Sequence, residues 1–562
     1  MSVSSTATVG DLDRDVESLR AHAAAWARLG FAGKIRHLRT MRARTVEVAA
    51  RWAELAAQAK GIAGTPLAGE EWLSGPYALL SALDRLTKTL GEIARDGVPA
   101  LPETAIRTRP DGQVVVDVFP LETADRLLLN GVRAEIWMEP GVTRESVRER
   151  TAAALRESDP QPRVTLVLGA GNIASIPPLD VLAALYAHNS VALLKLNPVN
   201  AYLEPVLARV FSALIDEGFV RLTGGGADVG RYLTAHPGID AIHLTGGERT
   251  HQAVVTAAPD KTITSELGNV TPVIVVPGPW SDADLTFQAA HVATMKLHNA
   301  GANCIAAQLL VTPQSWERRT AFLDRVRGAL RDAPARPAYY PGAPERVRAA
   351  AASHPGAESL GAGSDGVPRV FVPGLDAANA GDAFFHDEAF APVLSETALP
   401  GADAAAFLRN AVAFVNAVPH GTLGVSVLIH PRTIAQLGPA FDEAVAALRY
   451  GCVAINSWPG VGFLLASASW GAFPGNTLDD VGSGIGVVHN AFLFDRPQKT
   501  VLRQPFAPFP RSLRDGERTL LPTPPWFVTH RRGDTVGRKL FAYTAKPSLR
   551  GLMATALAAM RA

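Results

Sequence analysis

Cysteine is almost missing from this chain: its 562 residues hold two, Cys304 and Cys452. Two thiols in so long a chain build no disulfide framework, and neither lies in a CxxC or Cys/His cluster, so no metal is expected. Net charge is scarce as well. The 54 Lys and Arg against 53 Asp and Glu leave +1, which offers no basic field for nucleic acid and no acidic field for cationic partners. No uninterrupted apolar run reaches membrane-spanning length, and the opening "MSVSSTATVGDLDRDVESLR" has acids where a leader needs an apolar core. Internal repeats and low-complexity segments are absent too. What is present is 47% hydrophobic sequence, enough to bury large cores over two or more domains. The expectation is a cytoplasmic protein whose partner is a small molecule.

The pattern then divides the chain. From about 10 to 100, stretches such as "DVESLRAHAAAWARL" carry apolar residues at helical spacing. Asp111-Gly112 turns into the alternating strand "QVVVDVFP", and "VRAEIWMEP" supplies a second strand, a hairpin able to stand off from the body. From Val164, "VTLVLGAGN", "VALLKLNP", "VRLTGG", "AIHLTGG" and "PVIVVPG" are short apolar strands between helical stretches, the alternation of a parallel sheet covered on both faces. A second run of this kind follows Cys304. Cys452, in the strand-like "YGCVAINSW", reads as core.

Cys304 ends the stretch "HNAGANC", and by itself a lone thiol is more often a small buried apolar residue than a nucleophile. One helix-sized connection upstream, "TITSELGN" sets Glu266 at a strand end. "GAGN" ends in Asn172, "LLKLNP" holds Lys195, "LTGGERT" holds Gly246 and Gly247, and "DEAFAPVL" holds Glu388 and Phe390. Taken in their order along the chain, the six stretches resemble the boxes of the aldehyde dehydrogenase superfamily, over about 135 to 505. The resemblance implies an α/β fold of two doubly wound parallel-sheet domains plus an oligomerisation β-hairpin, and NAD(P)-dependent oxidation of an aldehyde to a carboxylic acid. Cys304 becomes the nucleophile, Glu266 the base, and Asn172 with the Cys304 N–H the oxyanion donors. Lys195, Gly226, Gly246, Gly247, Leu267, Glu388 and Phe390 become cofactor contacts.

The chemistry agrees with those residue types. An aldehyde yields a hydride only once a nucleophile has made its carbon tetrahedral, and a thiolate does this well. The adduct's oxyanion needs donors fixed in advance, and the thioester left behind needs a base to activate water. Gly246-Gly247 between a strand and a helix lets backbone N–H groups approach a phosphate; by itself this is only a tight connection.

Departures from the family pattern also matter. Ala170-Gly171 stand where the family has Pro-Trp, Asn269-Val270 where it has Gly-Lys, and Ala302 where it has Gln. "GNIASIPPLDVLAALYAHNSVALLKLNP" also resembles the acyl-CoA reductases of the luminescence fatty-acid reductase type, whose thioester ends on a thiol. The presence of Glu266 favours hydrolysis. A retired scaffold is the remaining alternative, opposed by Cys304, Glu266, Asn172 and Glu388 standing together. Pro198 replaces the acid that in the family repels a 2′-phosphate, so NAD and NADP are both expected, with a lean to NADP. Trp458, Phe463 and Trp470 suggest an apolar or aromatic aldehyde.

The expected organisation is helices and cofactor domain over 1–265, with the hairpin at about 112–140 pairing near residue 500. A catalytic domain follows over 266–450, then a return to the cofactor domain over 451–510 and a basic extension over 511–562. The resemblance implies a homodimer or homotetramer. In the extension ten Lys and Arg face three Asp and Glu, while the preceding chain is net acidic. Its end, "PSLRGLMATALAAMRA", is expected as a helix capped by Ser548 with Leu549, Leu552, Met553, Ala556 and Met560 on one face. Docking on a neighbouring subunit is the first expectation for it, an anionic membrane the second.

Overall fold

The computed structural model describes residues 8–561; residues 1–7, the start of the stretch read above against a leader, lie outside them. Three long helices, Val9–Ala27, Phe31–Ala59 and Ala78–Asp96, form the N-terminal layer. Thr8 begins the first with a reciprocal side-chain cap to Asp11, satisfying N–H groups that helix geometry leaves open. Leu12, Val16, Leu19, Ala23 and Trp26, spaced three or four apart, bury its inner face.

Two sheets carry the body. In the six-stranded sheet, Val220–Thr223, Val191–Lys195, Val164–Leu168, Ala241–Thr245 and Thr262–Glu266 run parallel, and Gly484–Ile485 closes the edge antiparallel. Val164–Leu168 and Val191–Lys195 are buried at every position, as strands covered on both faces must be. The eleven-stranded sheet has a parallel middle running from Pro497–Arg503 through Cys452–Ile455, Gly424–Leu428, Thr271–Val275, Ala307–Pro313 and Val393–Leu399 to Pro368–Leu375. Only four residues, 267–270, separate Thr262–Glu266 of one sheet from Thr271–Val275 of the other. Parallel strands present their C-terminal ends to one side, and ligands bind outside such ends.

Three expectations change here. The chain does not return to the first sheet at 451: Cys452–Ile455 pairs with Gly424–Leu428 inside the large sheet, and only Gly484–Ile485 rejoins the small one. All four residues of Cys452–Ile455 are buried, so an interior position satisfies both faces. The hairpin Val114–Phe119 and Arg133–Met138 pairs with Pro497–Arg503, yet it does not stand off. It continues the chain's own large sheet, which satisfies the outer backbone groups of strand Pro497–Arg503 within one molecule.

The third change concerns the extension, which packs on its own chain. Helix Gly533–Ala545 lies against Gly69–Trp72 so closely that a Cβ on Gly69 would meet the Gly533 carbonyl at 2.3 Å. The final helix Leu549–Ala559, capped by Ser548 as expected, buries Thr555, Ala558 and Ala559. Leu549, Met553 and Met560 of the expected docking face stay exposed. Small residues let this helix approach closely, and large ones on that side would hold it off.

Candidate active site

The segment leading to Cys304 is bent by three successive left-handed residues, Asn299, Ala300 and Gly301, at φ of 53, 57 and 75°. At Gly301 a Cβ would sit 2.6 Å from the Ala391 backbone, so only glycine fits. Asn and Ala pay strain in that region, and a dense mesh holds them. Glu70 accepts the Asn299 N–H at 2.9 Å and pairs with the Arg336 guanidinium, which also donates to the Leu297 carbonyl. The Asn299 amide donates to the carbonyls of Ala302 and Asn172, and the Tyr339 hydroxyl to those of Asn172 and the Asn299 side chain. The Trp458 indole donates to the Ile305 carbonyl just beyond the cysteine.

Cys304, half-buried, stands at the junction of two cavities. The first, about 230 Å³, is lined by Asn172, Glu266, Leu267, Gly246, Gly247, Glu388 and Phe390. The second, about 30 Å³, is bounded by His298, Trp458, Phe463, Trp470 and Trp526. The structure thus brings together eight of the ten residues singled out in the sequence. Lys195 and Gly226 line neither. Lys195 ends strand Val191–Lys195, and Gly226, past the neighbouring strand Val220–Thr223, is the N-cap of helix Ala227–Ala235, where Asp228 faces the buried Lys195 ammonium.

Burial governs the electrostatics. The Glu266 carboxyl is pushed up to about 7 by burial, against which the Trp470 indole donates to Oε1 at 2.6 Å. Its other oxygen has no partner among the described residues. Burial first, then the carboxylates of Glu266 and Glu388, push the Cys304 thiol well up, so the resting thiol is protonated. Cys452 is buried and inert, its thiol pushed up to about 12. Asn172 differs from expectation in one respect: its amide already donates to the Ala302 carbonyl at 3.1 Å. An amide has two N–H groups, so one remains for another acceptor.

The first cavity suits a dinucleotide. Gly247 caps helix Glu248–Ala257 and nothing stands within 4 Å of where its Cβ would be, leaving an open helix N-terminus. Glu388 has a buried Oε1 without a partner, and Gly268 makes room for this carboxyl, a Cβ there falling 2.1 Å from it. Phe390, held left-handed at φ 43°, packs its ring on Tyr340.

Sequence reasoning missed Glu70, Arg336, Tyr339, His298, Asp180 and Trp526. Arg336 and Glu70 lie 266 residues apart, with no local signal joining them. Asp180, fully buried near Glu266 with its carboxyl pushed well up first by burial and then by the Glu266 charge, sits in an apolar helix without a motif. His298 was quoted as part of the cysteine stretch, and its place on the helical turn before the cysteine could have flagged it.

Residues 173–341 match the model of the aldehyde dehydrogenase family, a span that includes Lys195, Glu266 and Cys304. Among curated relatives, N-succinylglutamate 5-semialdehyde dehydrogenase of Sphingopyxis alaskensis is 31% identical over 153 residues, 26% of this chain and 31% of the relative. Coniferyl aldehyde dehydrogenase of a Pseudomonas species is 30% identical over 181 residues, 32% of this chain and 36% of the relative. The matched stretch therefore spans about a third of these relatives' length. Similarity of fold extends further. The NAD-dependent aldehyde dehydrogenase from Sinorhizobium meliloti superposes at a TM-score of 0.61, with 18% identity, over 88% of this chain and 86% of that one. AldC from Pseudomonas syringae, solved with NAD+ and octanal, gives 0.59 with 19% identity over 90% of each. The match at residues 173–341 makes that stretch similar to the aldehyde dehydrogenase family, and over most of the chain the fold is similar to that of the solved aldehyde dehydrogenases.

Proposed function

We propose that this chain oxidises an aldehyde to a carboxylic acid with NAD or NADP, through a thiohemiacetal and then a thioester on Cys304. The observation that carries the reading is the position of Cys304, one wall of a polar cavity bearing Glu266, Gly247 and Glu388 and also of an aromatic one. A nicotinamide dinucleotide, when bound, supplies the hydride acceptor. Gly246, Gly247, Leu267, Glu388 and Phe390 would hold it in the larger cavity, and Lys195 and Gly226 would meet its adenosine end.

The Cys304 thiol gives its proton to solvent as Sγ adds to the carbonyl carbon, and the oxyanion formed is met by the Cys304 N–H and the free N–H of Asn172; one such donor is worth about 3 kcal/mol. Loss of hydride leaves the thioester. Glu266 then takes a proton from water, whose oxygen attacks the acyl carbon while the Cys304 thiolate leaves. Burial suits Glu266 to that task, since a base works best with a pKa near the working pH. The presence of this base favours water over CoA as the acyl acceptor. The aromatic second cavity favours an apolar or aryl aldehyde, and its free space, on the order of two waters, means that lining side chains shift to admit a ring.

The test is a screen of purified protein against aliphatic and aryl aldehydes with NAD and NADP, with and without CoA. Turnover independent of CoA, abolished in Cys304→Ser and kept in Cys452→Ser, is expected, with a lean to NADP. Equal activity in the Cys304 variant contradicts the reading, and an absolute requirement for CoA replaces it with an acyl-CoA reductase.

A further inference from the structure

The final helix, Leu549–Ala559, is fixed to the body by one face and leaves an apolar face uncovered. Thr555, Ala558 and Ala559 are buried, the alanines packing with Val536 of the preceding helix. Leu549, Met553, Leu557 and Met560 are 75, 55, 45 and 43% exposed. At the α-helical repeat those four fall within an arc of about 80°. Helix Thr123–Leu128, packed beside it, adds Leu127 at 48%. These two short helices therefore hold five of the ten large hydrophobic side chains that are exposed among the described residues.

Charge says what kind of surface this face meets. After Asp534 the sequence contains Arg538, Lys539, Lys546, Arg550 and Arg561 and no acid. Arg538 is spent on Asp534. Arg550 and Arg561 border the stripe along one side, at about 100 and 120° from Leu549 on the helical wheel, and Lys546 stands just before its cap. A second copy meeting this face across a two-fold axis would set cation against cation, which opposes self-association. A surface that is anionic outside and apolar just beneath matches both features, with Leu and Met entering and Lys and Arg remaining at the level of charge.

We propose that this face docks on membrane surfaces rich in anionic lipid, Leu549, Met553, Leu557 and Met560 entering the boundary between headgroups and acyl chains while Lys546, Arg550 and Arg561 engage the headgroups. The attachment is peripheral. Among the described residues no helix is long and apolar enough to cross a membrane.

The test is flotation of the full chain with vesicles of phosphatidylcholine alone or with phosphatidylglycerol added. Retention on the anionic vesicles should exceed that on neutral ones by about fivefold or more and fall with added salt. The triple variant Leu549→Ser, Met553→Ser, Leu557→Ser should lose about tenfold in retention while keeping a cooperative thermal transition, since these side chains are exposed and belong to no buried cluster. Arg550→Glu with Arg561→Glu should abolish the anionic preference, and a preference that survives this pair contradicts the proposal. Equal retention or none on both vesicle types overturns it, as does full retention by the triple variant. Light scattering supplies the remaining contrary result: a dimer of the wild type that the triple variant dissociates would make the face a self-interface.

Discussion

Glu266 is buried with a single indole donor, so burial holds its carboxyl up at about 7 rather than the 4.5 of a free glutamate. The folded state thus binds a proton that the unfolded chain has released between those values. A raised folded-state pKa means stability present below about 4.5 and lost as pH climbs through 7, here about 3 kcal/mol. Glu266→Gln keeps the shape and the Trp470 hydrogen bond while removing the charge. It should raise the melting temperature at pH 8 and leave it unchanged at pH 4.5, read by calorimetry at both; a drop at pH 8 would show that the carboxylate is stabilised by partners not described above. The wild-type deacylation rate should rise with pH through about 7 and level above it, as the ionised base accumulates. At this scale the sequence was most legible where chemistry is local. Cys304, Glu266 and Glu388 announce themselves by their neighbours within a few residues. Asp180 does not, because a lone acid in an apolar helix looks like a defect until folding puts it near Glu266.

Among the elements, the short helix Gly69–Trp72 and the segment before Cys304 form a unit that no periodicity reveals. Glu70 bridges them by accepting the Asn299 N–H and pairing with Arg336, both ends of that ion pair being buried. Beside it Lys60 and Glu71 form a second buried pair at 2.8 Å. Removing one member of such a pair leaves an unpaired buried charge. Glu70→Gln should therefore lower stability by about 3 kcal/mol or more. It should also reduce turnover far more than cofactor affinity, because the left-handed turn presenting Cys304 loses its anionic anchor. Thermal melts, steady-state rates and cofactor titration on one preparation check this, and unchanged kcat would show that the turn holds itself. Strands such as Val164–Leu168 were legible because their own side chains dictate burial. The Glu70 bridge was not, since Asn299 lies 229 residues away and each residue alone suits a solvated surface. The hairpin was legible as a hairpin. Its pairing with the strand near residue 500 was expected too; that this strand is the edge of its own large sheet depends on which open edge lies nearest in three dimensions.

Across the whole molecule, the site is assembled from distant parts of the chain. N-terminal residues Leu73 and Ser74, Cys304 and its segment, Trp458, Phe463 and Trp470, and Trp526 of the extension all border the smaller cavity. The extension read from sequence as a docking tail thus also walls the site. Both cavities meeting at one thiol is a whole-chain property, and the central claim is that they serve two half-reactions in turn. In the proposed mechanism hydride transfer requires the cysteine, the oxyanion donors and the dinucleotide, whereas release of the acid requires Glu266. Rapid mixing of Glu266→Gln with NAD(P) and an aldehyde accepted by the wild type separates the two, followed by intact-protein mass of the quenched sample. The account predicts one burst of NAD(P)H per active site, then a stall with the acyl group retained on Cys304. A variant that turns over at the wild-type rate, with no acyl mass on the protein, would contradict it.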